Sequence, residues 1–587
     1  MRNPCLNLVT KFGPFREHRP ESAIALLSKP CKSKAELKQF HAQIILSRTI
    51  SFCVDHGELT YTNLAFSRIG RPNTFVNNTM MRIYINSNNP SQALLFYLKM
   101  KREKSTADRY TFPLVLKACT LLQSKDTGKV LHGCTLKLGF SFDLFVQSGL
   151  IRFYAECGFI DCSRRVFDEI LERDIVIWNT MIGGYMKHGL ISEAIKLFNE
   201  MPAKNIGSFN TMLSGYAKFG ELENAKKVFD QMPERDVISW NSMVMGHAKY
   251  GSLDVAREIF DQIPRRNVSS WANLISGLAQ RSEFVKALET FVEMQRDTVR
   301  PNQAILVSIL SSCAHLGALD QGIWVHAYLE KCMTSLDDIV CASLVDMYSK
   351  CGFLEAANIV FNKTNPKGVC GWTAMILGLA IHGQSDDALR LFDKMPEVGM
   401  RPNGRTCLAA LSACVHAGFV DKGHEILDTM HRVHNVRPEL EHYTCVIDLL
   451  SRANLFDEAQ ELVRTMPFKP DAFVWGALLS GFRIHRSSTV SLSEDMGREM
   501  LRLGAKDSGP FVSLSNIYAS CERWEDVTRL RTLMGDVGVR KNPGCSLIEV
   551  NGEVHEFLAG ERSHPQCKEI YHLLDGLSRH IYGNWMK

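Results

Sequence analysis

A chain of 587 residues is far longer than one hydrophobic core supports, so it is either several domains or a repeat array. With 45% apolar and 22% charged residues it has the composition of an ordinary folded protein, and a net charge of +5 excludes a polycation that holds nucleic acid by bulk attraction. Its 18 cysteines are scattered, no two of them three positions apart, which excludes a dense disulfide framework and any CxxC metal pair and leaves small, reduced, mostly buried thiols.

From the N-terminus, residues 1–20 carry Arg2, Lys11, Arg16 and Arg19 against the single acid Glu17. That balance suits an organelle transit segment, although Gly13 and Pro14 interrupt an amphipathic helix. Residues 21–73 read as degenerate repeats. The segments 302–319 and 368–385 lack Asp, Glu, Lys and Arg, but both contain His, Ser, Gln and Gly, so neither predicts a membrane span.

Self-similarity dominates the middle of the chain. Trp178, Phe209, Trp240 and Trp271 are spaced by 31 residues, as are Phe167, Phe198, Phe229, Phe260 and Phe291. Each unit predicts two short helices. In the unit starting at Ile175, Trp178, Met181, Ile182 and Tyr185 share one helical face, and Gly189 stops the helix. Ser192 is expected to N-cap the second helix, with Glu193 in its first turn. Ala194, Leu197, Phe198 and Met201 form the second face, and Pro202 closes the unit. One hairpin cannot bury its apolar face alone, so the units must stack into an all-α superhelical solenoid.

The frame gives units 74–108, 109–143, 144–174, 175–205, 206–236, 237–267, 268–302, 303–337, 338–368, 369–403, 404–439 and 440–470. Units 109, 303 and 404 open on a different face: TFPLVLKAC from Thr111, LVSILSSC from Leu306 and CLAALSAC from Cys407. Near the C-terminus, 546–550 and 553–557 alternate around Asn551-Gly552, which predicts a β-hairpin with a type I′ turn.

This alternation of three unit types, with phrases such as VDMYSKCG from Val345, resembles the plant pentatricopeptide repeat proteins of the PLS class, from about residue 22 to 580. The stretch DAFVWGALLSGFRIH from Asp471 and SLSNIYAS from Ser513 resemble that family's E domain, taken as 471–540. The hairpin and AGERSHPQ from Ala559 resemble its E-plus extension, 541–587, and the chain stops where longer relatives begin a DYW cytidine-deaminase domain. The resemblance implies a right-handed superhelical solenoid that reads single-stranded RNA, one base per unit. The readers would be the fifth and last residues of each unit, with the second residue packing on the base. The implied pairs are Asn78 with Asp108 (U), Ser148 with Asp174 (G), Asn179 with Asn205 (C or a pyrimidine), Asn210 with Asp236 (U), Asn241 with Asn267 (C or a pyrimidine) and Thr373 with Asn403 (A). Phe75, Val176, Ile238 and Cys370 are the base-packing candidates. Ala272 with Asn302 and Ala342 with Gly368 lack a readable pair, and the units carrying Pro113, Val307 and Leu408 read poorly.

A competing explanation is local: Asn or Asp at such positions can serve only as a helix cap or turn residue. Recurrence at the same two offsets in six units favours readout. A zinc deaminase needs HxE followed by PCxxC; the one HxE, His56-Gly57-Glu58, has no CxxC to join it. His442 and Cys445 lie on a repeat face and read as core. The chain is therefore expected to have no intrinsic catalysis, no metal and no cofactor. The resemblance implies a site-recognition factor for C-to-U editing of organelle transcripts, in a mitochondrion or chloroplast with the mitochondrion preferred. Its partners would be single-stranded organelle RNA, a DYW-type deaminase in trans and organelle editing accessory factors, without membrane insertion. The alternatives are RNA processing, stability or translation without editing, and a protein-interaction scaffold. A scaffold of the tetratricopeptide type keeps a uniform step, which the steps of 31, 35 and 36 contradict.

Overall fold

The structure is a computed structural model describing residues 72–87, 89–103, 106–332, 337–363, 368–485, 508–539, 545–550, 553–559, 562 and 564–585. The expected transit segment, nearly all of the degenerate repeats, His56-Gly57-Glu58 and the Asn551-Gly552 turn lie outside the described residues. Among those described there are 28 helices and one two-stranded sheet, so the fold is the expected all-α array of helix pairs with a small β-hairpin near its C-terminus. No described helix is long and apolar enough to cross a membrane.

Two compact bodies divide the chain, 1–243 and 244–587. In the first, helices Thr74–Asn86, Thr111–Leu121, Leu144–Glu156, Ile175–Lys187 and Ile206–Phe219 pack on one another in succession. In the second, the same succession runs through Val268–Gln280, Gln303–Leu316, Asp338–Lys350, Val369–Ile381, Gly404–Ala417, Leu440–Arg452, Ala472–His485 and Ser508–Ser520. Second helices of the repeat pairs, such as Ile191–Glu200 and Phe284–Arg296, pack on their own partner and on the first helix of the next pair. Neighbours thus bury what one hairpin leaves exposed.

The turn between the helices of a pair is short. Gly189 takes φ +70°, which a glycine supplies without steric cost, and Leu190 N donates back to Tyr185 O. The second helix therefore starts at Ile191, with Leu190 at the N-cap and no side-chain cap. The expectation for Ser192 is corrected: it lies inside the first turn, because the left-handed glycine and one residue suffice to reverse the chain. Glu193 is in the first turn as expected.

The aromatic period has a physical basis. The fourth residue of a unit meets the second-helix Phe of the unit before it, edge to face: Trp178 on Phe167 at 5.2 Å, Phe209 on Phe198 at 5.4 Å, Trp240 on Phe229 at 4.9 Å and Trp271 on Phe260 at 4.8 Å. Arg173, Arg235 and Arg266 lie over the same Phe rings at 4.5, 4.6 and 4.7 Å. Each donates Nε–H to that Phe's backbone carbonyl, closing the C-terminal end of the second helix with a cation.

The three unit types differ by an exchange of volume. Where the twentieth residue of a unit is Ala or Ser, as with Ser163, Ala194, Ala256 and Ala357, the tenth residue of the next is small, often Gly: Gly184, Gly215, Gly277 and Gly378. These glycines press on the neighbouring first helix; a Cβ on Gly215 would stand 2.6 Å from Met186, and one on Gly277 would fall on Ala248 Cβ. In units 109, 303 and 404 the twentieth residue is instead Gly128, Gly322 or Gly423, and the next tenth residue is Phe153, Met347 or Leu449, occupying the space a Cβ there would need.

At the tail, strand β1 (Cys545–Val550) pairs antiparallel with β2 (Glu553–Leu558), Val550 opposite Glu553 and Cys545 opposite Leu558. Glu549 accepts the backbone N–H of Asp320 at 3.0 Å, placing a carboxylate at the positive end of helix Leu319–Cys332.

Candidate nucleic-acid interface

The last residue of a unit is the N-cap of the next unit's first helix. Asp174 accepts from Ile177 N at 2.8 Å, Asn205 from Ser208 N, Asp236 from Ser239 N, Asn267 from Ser270 N and Asn403 from Thr406 N, the last four at 2.9 Å. Asp108 closes the equivalent turn, accepting from Thr111 N at 2.9 Å. The local explanation for these Asn and Asp residues is therefore real in every case. The cap, however, leaves part of each side chain available, and in units 74–108 and 206–236 the fifth residue reaches it.

Asn78 Nδ2 donates to Asp108 Oδ1 at 2.9 Å, and Asn210 Nδ2 donates to Asp236 Oδ1 and Oδ2 at 3.0 and 3.2 Å. Residues 30 and 26 apart in sequence thus form one polar group. The Oδ1 atoms of Asn179 and Asn210 are buried and accept no hydrogen bond within the protein. For Asp236, burial pushes the carboxyl pKa up, but the Ser239 backbone, Asn210, the Ser239 hydroxyl and the Ile238 backbone together outweigh it and hold the carboxyl below its ordinary value. Thr373 Oγ1 lies 2.8 Å from Thr406 Oγ1, which lies 2.9 Å from Asn403 Oδ1, so that pair connects through a third residue. Ser148 and Asp174 are not joined: Ser148 Oγ lies 3.4 Å from Thr180 Oγ1. Asn241 is buried, and Asn267 completes a capping box with Ser270.

The second-position residues face outward. Phe75, Val176, Ile238 and Cys370 are exposed, each two residues past a cap position, with Val176 58% and Ile238 57% accessible. Tyr110, Phe145, Ile339 and Phe473 occupy the same place after Asp108, Asp143, Asp337 and Asp471 and are also exposed. The sequence signal that finds them is a large apolar residue two past an Asp or Asn cap. The Arg109 guanidinium lies over Tyr110 and Phe145 at 5.0 and 5.3 Å. An exposed apolar side chain thus stands at the second position of units 74, 109, 144, 175, 237, 338 and 369, whereas Gly207, Ser269, Ala304, Arg405 and Glu441 stand there in the others.

Where the pair is missing, the cap is supplied differently. Gly368 has no side chain to cap helix Val369–Ile381, and Asp338 from the preceding unit accepts Cys370 N and Gly371 N at 3.2 and 3.1 Å. A Cβ on Gly368 would collide with that carboxylate. His442 is core, as expected: Glu439 N donates to Nδ1 at 3.1 Å, so the proton is on Nε2, which donates to Gly404 O at 2.9 Å. Both ring nitrogens are used, and neither is left for a metal.

Family models match along the chain. The PPR repeat matches 78–105, 207–237, 238–268, 269–299, 371–400 and 441–469; the PPR repeat family 173–207; and the pentatricopeptide repeat domain 390–452. The E motif matches 488–549 and the E+ motif 554–581, so the β-hairpin straddles their junction. The repeat, E and E+ motifs are not catalytic domains, and no DYW domain is found. A pentatricopeptide repeat-containing protein of Arabidopsis thaliana named chloroplastic/mitochondrial is 33% identical over 93% of this chain and 75% of its own. A second from Arabidopsis thaliana is 39% identical over 94% and 81%, and a third, named mitochondrial, is 35% identical over 97% and 90%. The crystal structure of maize PPR10 is similar at a TM-score of 0.46 and 16% identity, covering 86% of this chain and 82% of that one.

Proposed function

Because this chain belongs to the pentatricopeptide repeat family, with E and E+ motifs after its repeats, we propose that it binds single-stranded RNA by sequence and marks organelle transcripts for C-to-U editing. The observation that carries the RNA reading is the Asn210–Asp236 group and its counterpart Asn78–Asp108: paired donors and acceptors of fixed geometry, beside the exposed side chains of Ile238 and Tyr110. Asn presents a donor and an acceptor and Asp only acceptors, so the pairs discriminate Watson–Crick edges, while the apolar residue packs on the base face. The readers are Asn78 with Asp108, Ser148 with Asp174, Asn179 with Asn205, Asn210 with Asp236, Asn241 with Asn267 and Thr373 with Asn403. Phe75, Val176, Ile238 and Cys370 are the packing residues.

The editing role rests on the E and E+ motifs, and the deaminase acts in trans, from a DYW-type partner together with organelle accessory factors. Relatives named chloroplastic or mitochondrial support an organelle address. Two measurements test this. Purified protein is expected to select a defined RNA from a random pool, and loss of the gene is expected to abolish C-to-U conversion at one or a few organelle sites. Selection without any lost editing site leaves an RNA processing or stability factor; no selection at physiological salt overturns RNA reading altogether.

A further inference from the structure

The geometry points to a third member of five of the six base-reading groups: the hydroxyl at the third residue of the following unit, which joins the backbone N–H in holding the face that the last residue presents to RNA. This rests on the RNA reading proposed above and specifies how it works.

Thr111, Ser208, Ser239, Ser270 and Thr406 are each 0% accessible. Their hydroxyl oxygens lie 2.8, 3.0, 3.2, 3.1 and 2.9 Å from Oδ1 of Asp108, Asn205, Asp236, Asn267 and Asn403. The backbone N–H of the same residue also donates to that Oδ1, at 2.9 Å in all five. An atom facing two donors is an oxygen, so the amide of Asn205, Asn267 and Asn403 is held with its carbonyl in the cap and its NH2 turned outward. The last residue then offers RNA only donors if it is Asn. If it is Asp, Oδ2 remains outside the cap as an acceptor. The backbone N–H sets this orientation, as it does at Asn302, and the hydroxyl reinforces it with a second donor on the same oxygen.

Two of the five reach further. Thr111 Oγ1 lies 2.8 Å from Asn78 Oδ1 as well as from Asp108, and Thr406 Oγ1 lies 2.8 Å from Thr373 Oγ1. In these units the hydroxyl physically links the fifth residue to the last.

The distribution follows the readers. Five of the six reading pairs are followed by a third-residue Ser or Thr. The five unread units before the last, starting at 109, 268, 303, 338 and 404, are followed by Val146, Ile305, Val340, Gly371 and His442. A capping role alone does not predict this split, because Asn302 and Asp337 cap Ile305 and Val340 without any hydroxyl. The exception is Ser148 with Asp174, followed by Ile177, and that is a pair the structure does not join.

The test uses the full chain and an RNA selected by the wild-type protein from a random pool, with its single-nucleotide variants. Asn205→Asp identifies the nucleotide facing unit 175–205, as the position whose preference changes. At that nucleotide Ser208→Ala is expected to reduce the ratio of matched to mismatched affinity by about fivefold to tenfold, the scale of one hydrogen bond. Mismatched RNAs keep their affinity, ratios at other nucleotides stay unchanged, and Ser208→Thr restores the ratio. Ser270→Ala is measured in parallel, and thermal melting confirms that the variants fold. Full discrimination in folded Ser208→Ala and Ser270→Ala overturns the inference while leaving RNA reading intact. So does an equal loss of affinity for every RNA, which is what a purely structural hydroxyl gives. A wild-type protein that discriminates at no nucleotide removes the RNA reading itself.

Discussion

Asp236 carries two duties with one carboxylate. It caps helix Val237–Tyr250 through Ser239 N and holds Asn210 in place. Replacing it with Ala removes both and is expected to cost about 1 kcal/mol, read by chemical denaturation. Asn at the same position caps about as well, so Asp236→Asn is expected to keep stability and alter only base preference. A loss of stability in Asp236→Asn equal to that in Asp236→Ala contradicts the division of duties. The sign of the pH dependence follows from the lowered pKa. A carboxyl held below its unfolded value contributes stability above that value and loses it as pH falls through the lowered one, so this group gives a flat stability profile from about pH 8 to about pH 5. Cys370 offers a second residue-scale probe. Burial and then Asp338 raise its thiol pKa, yet its side chain is exposed, whereas burial pushes Cys407 and Cys414 up to about 11 with both side chains inaccessible. A maleimide is expected to label Cys370 well ahead of those two, and selected RNA to slow that reaction. Equal labelling rates with and without RNA remove Cys370 from the interface.

Among the elements, what separates the unit types is how neighbours exchange volume. Gly322 leaves room for Met347, which is fully buried, and either residue alone looks ordinary. Gly322→Ala is expected to overpack that contact and cost about 1–3 kcal/mol. Met347→Ala is expected to cost about 2–5 kcal/mol through a cavity, and the double variant less than the sum of the two. Additive costs in a denaturation cycle mean that the two residues do not share the space. The helices themselves were legible from the sequence, because a face such as Trp178, Met181, Ile182 and Tyr185 is a local pattern and Gly189 is a local stop. The start of the second helix was misplaced at Ser192, since a good capping residue was preferred over the shorter turn that Gly189 permits. Pairing between Asn210 and Asp236 was legible only through family resemblance. The buried third-residue hydroxyls were not legible as part of the site, because a Ser three residues past an Asn cap looks complete as a capping box. Nothing within one unit announces that the same hydroxyl serves the unit before it.

The molecule as a whole has little charge to spend on RNA. With 68 basic and 63 acidic side chains, the net charge is +5. Many of the cations are already engaged: Arg173, Arg235 and Arg266 close second helices, and Arg257 bridges Asp261 and Glu293 at 3.1 and 2.9 Å. On the proposed reading, affinity comes mainly from bases stacked on residues such as Val176 and Ile238 and read by buried amides, which salt screens weakly. If five phosphates were neutralised, the slope of log affinity against log salt would be about −3.5, at about 0.7 per phosphate for single strands. The expected slope is no steeper than that. The ratio of matched to mismatched affinity is expected to be independent of salt, because exchanging one base for another changes hydrogen bonds and stacking but no charge. Anisotropy titrations of matched and mismatched RNA between about 50 and 300 mM salt measure both quantities. A steeper slope, or a preference that fades as salt rises, assigns recognition to the phosphate backbone and takes it away from the Asn and Asp pairs.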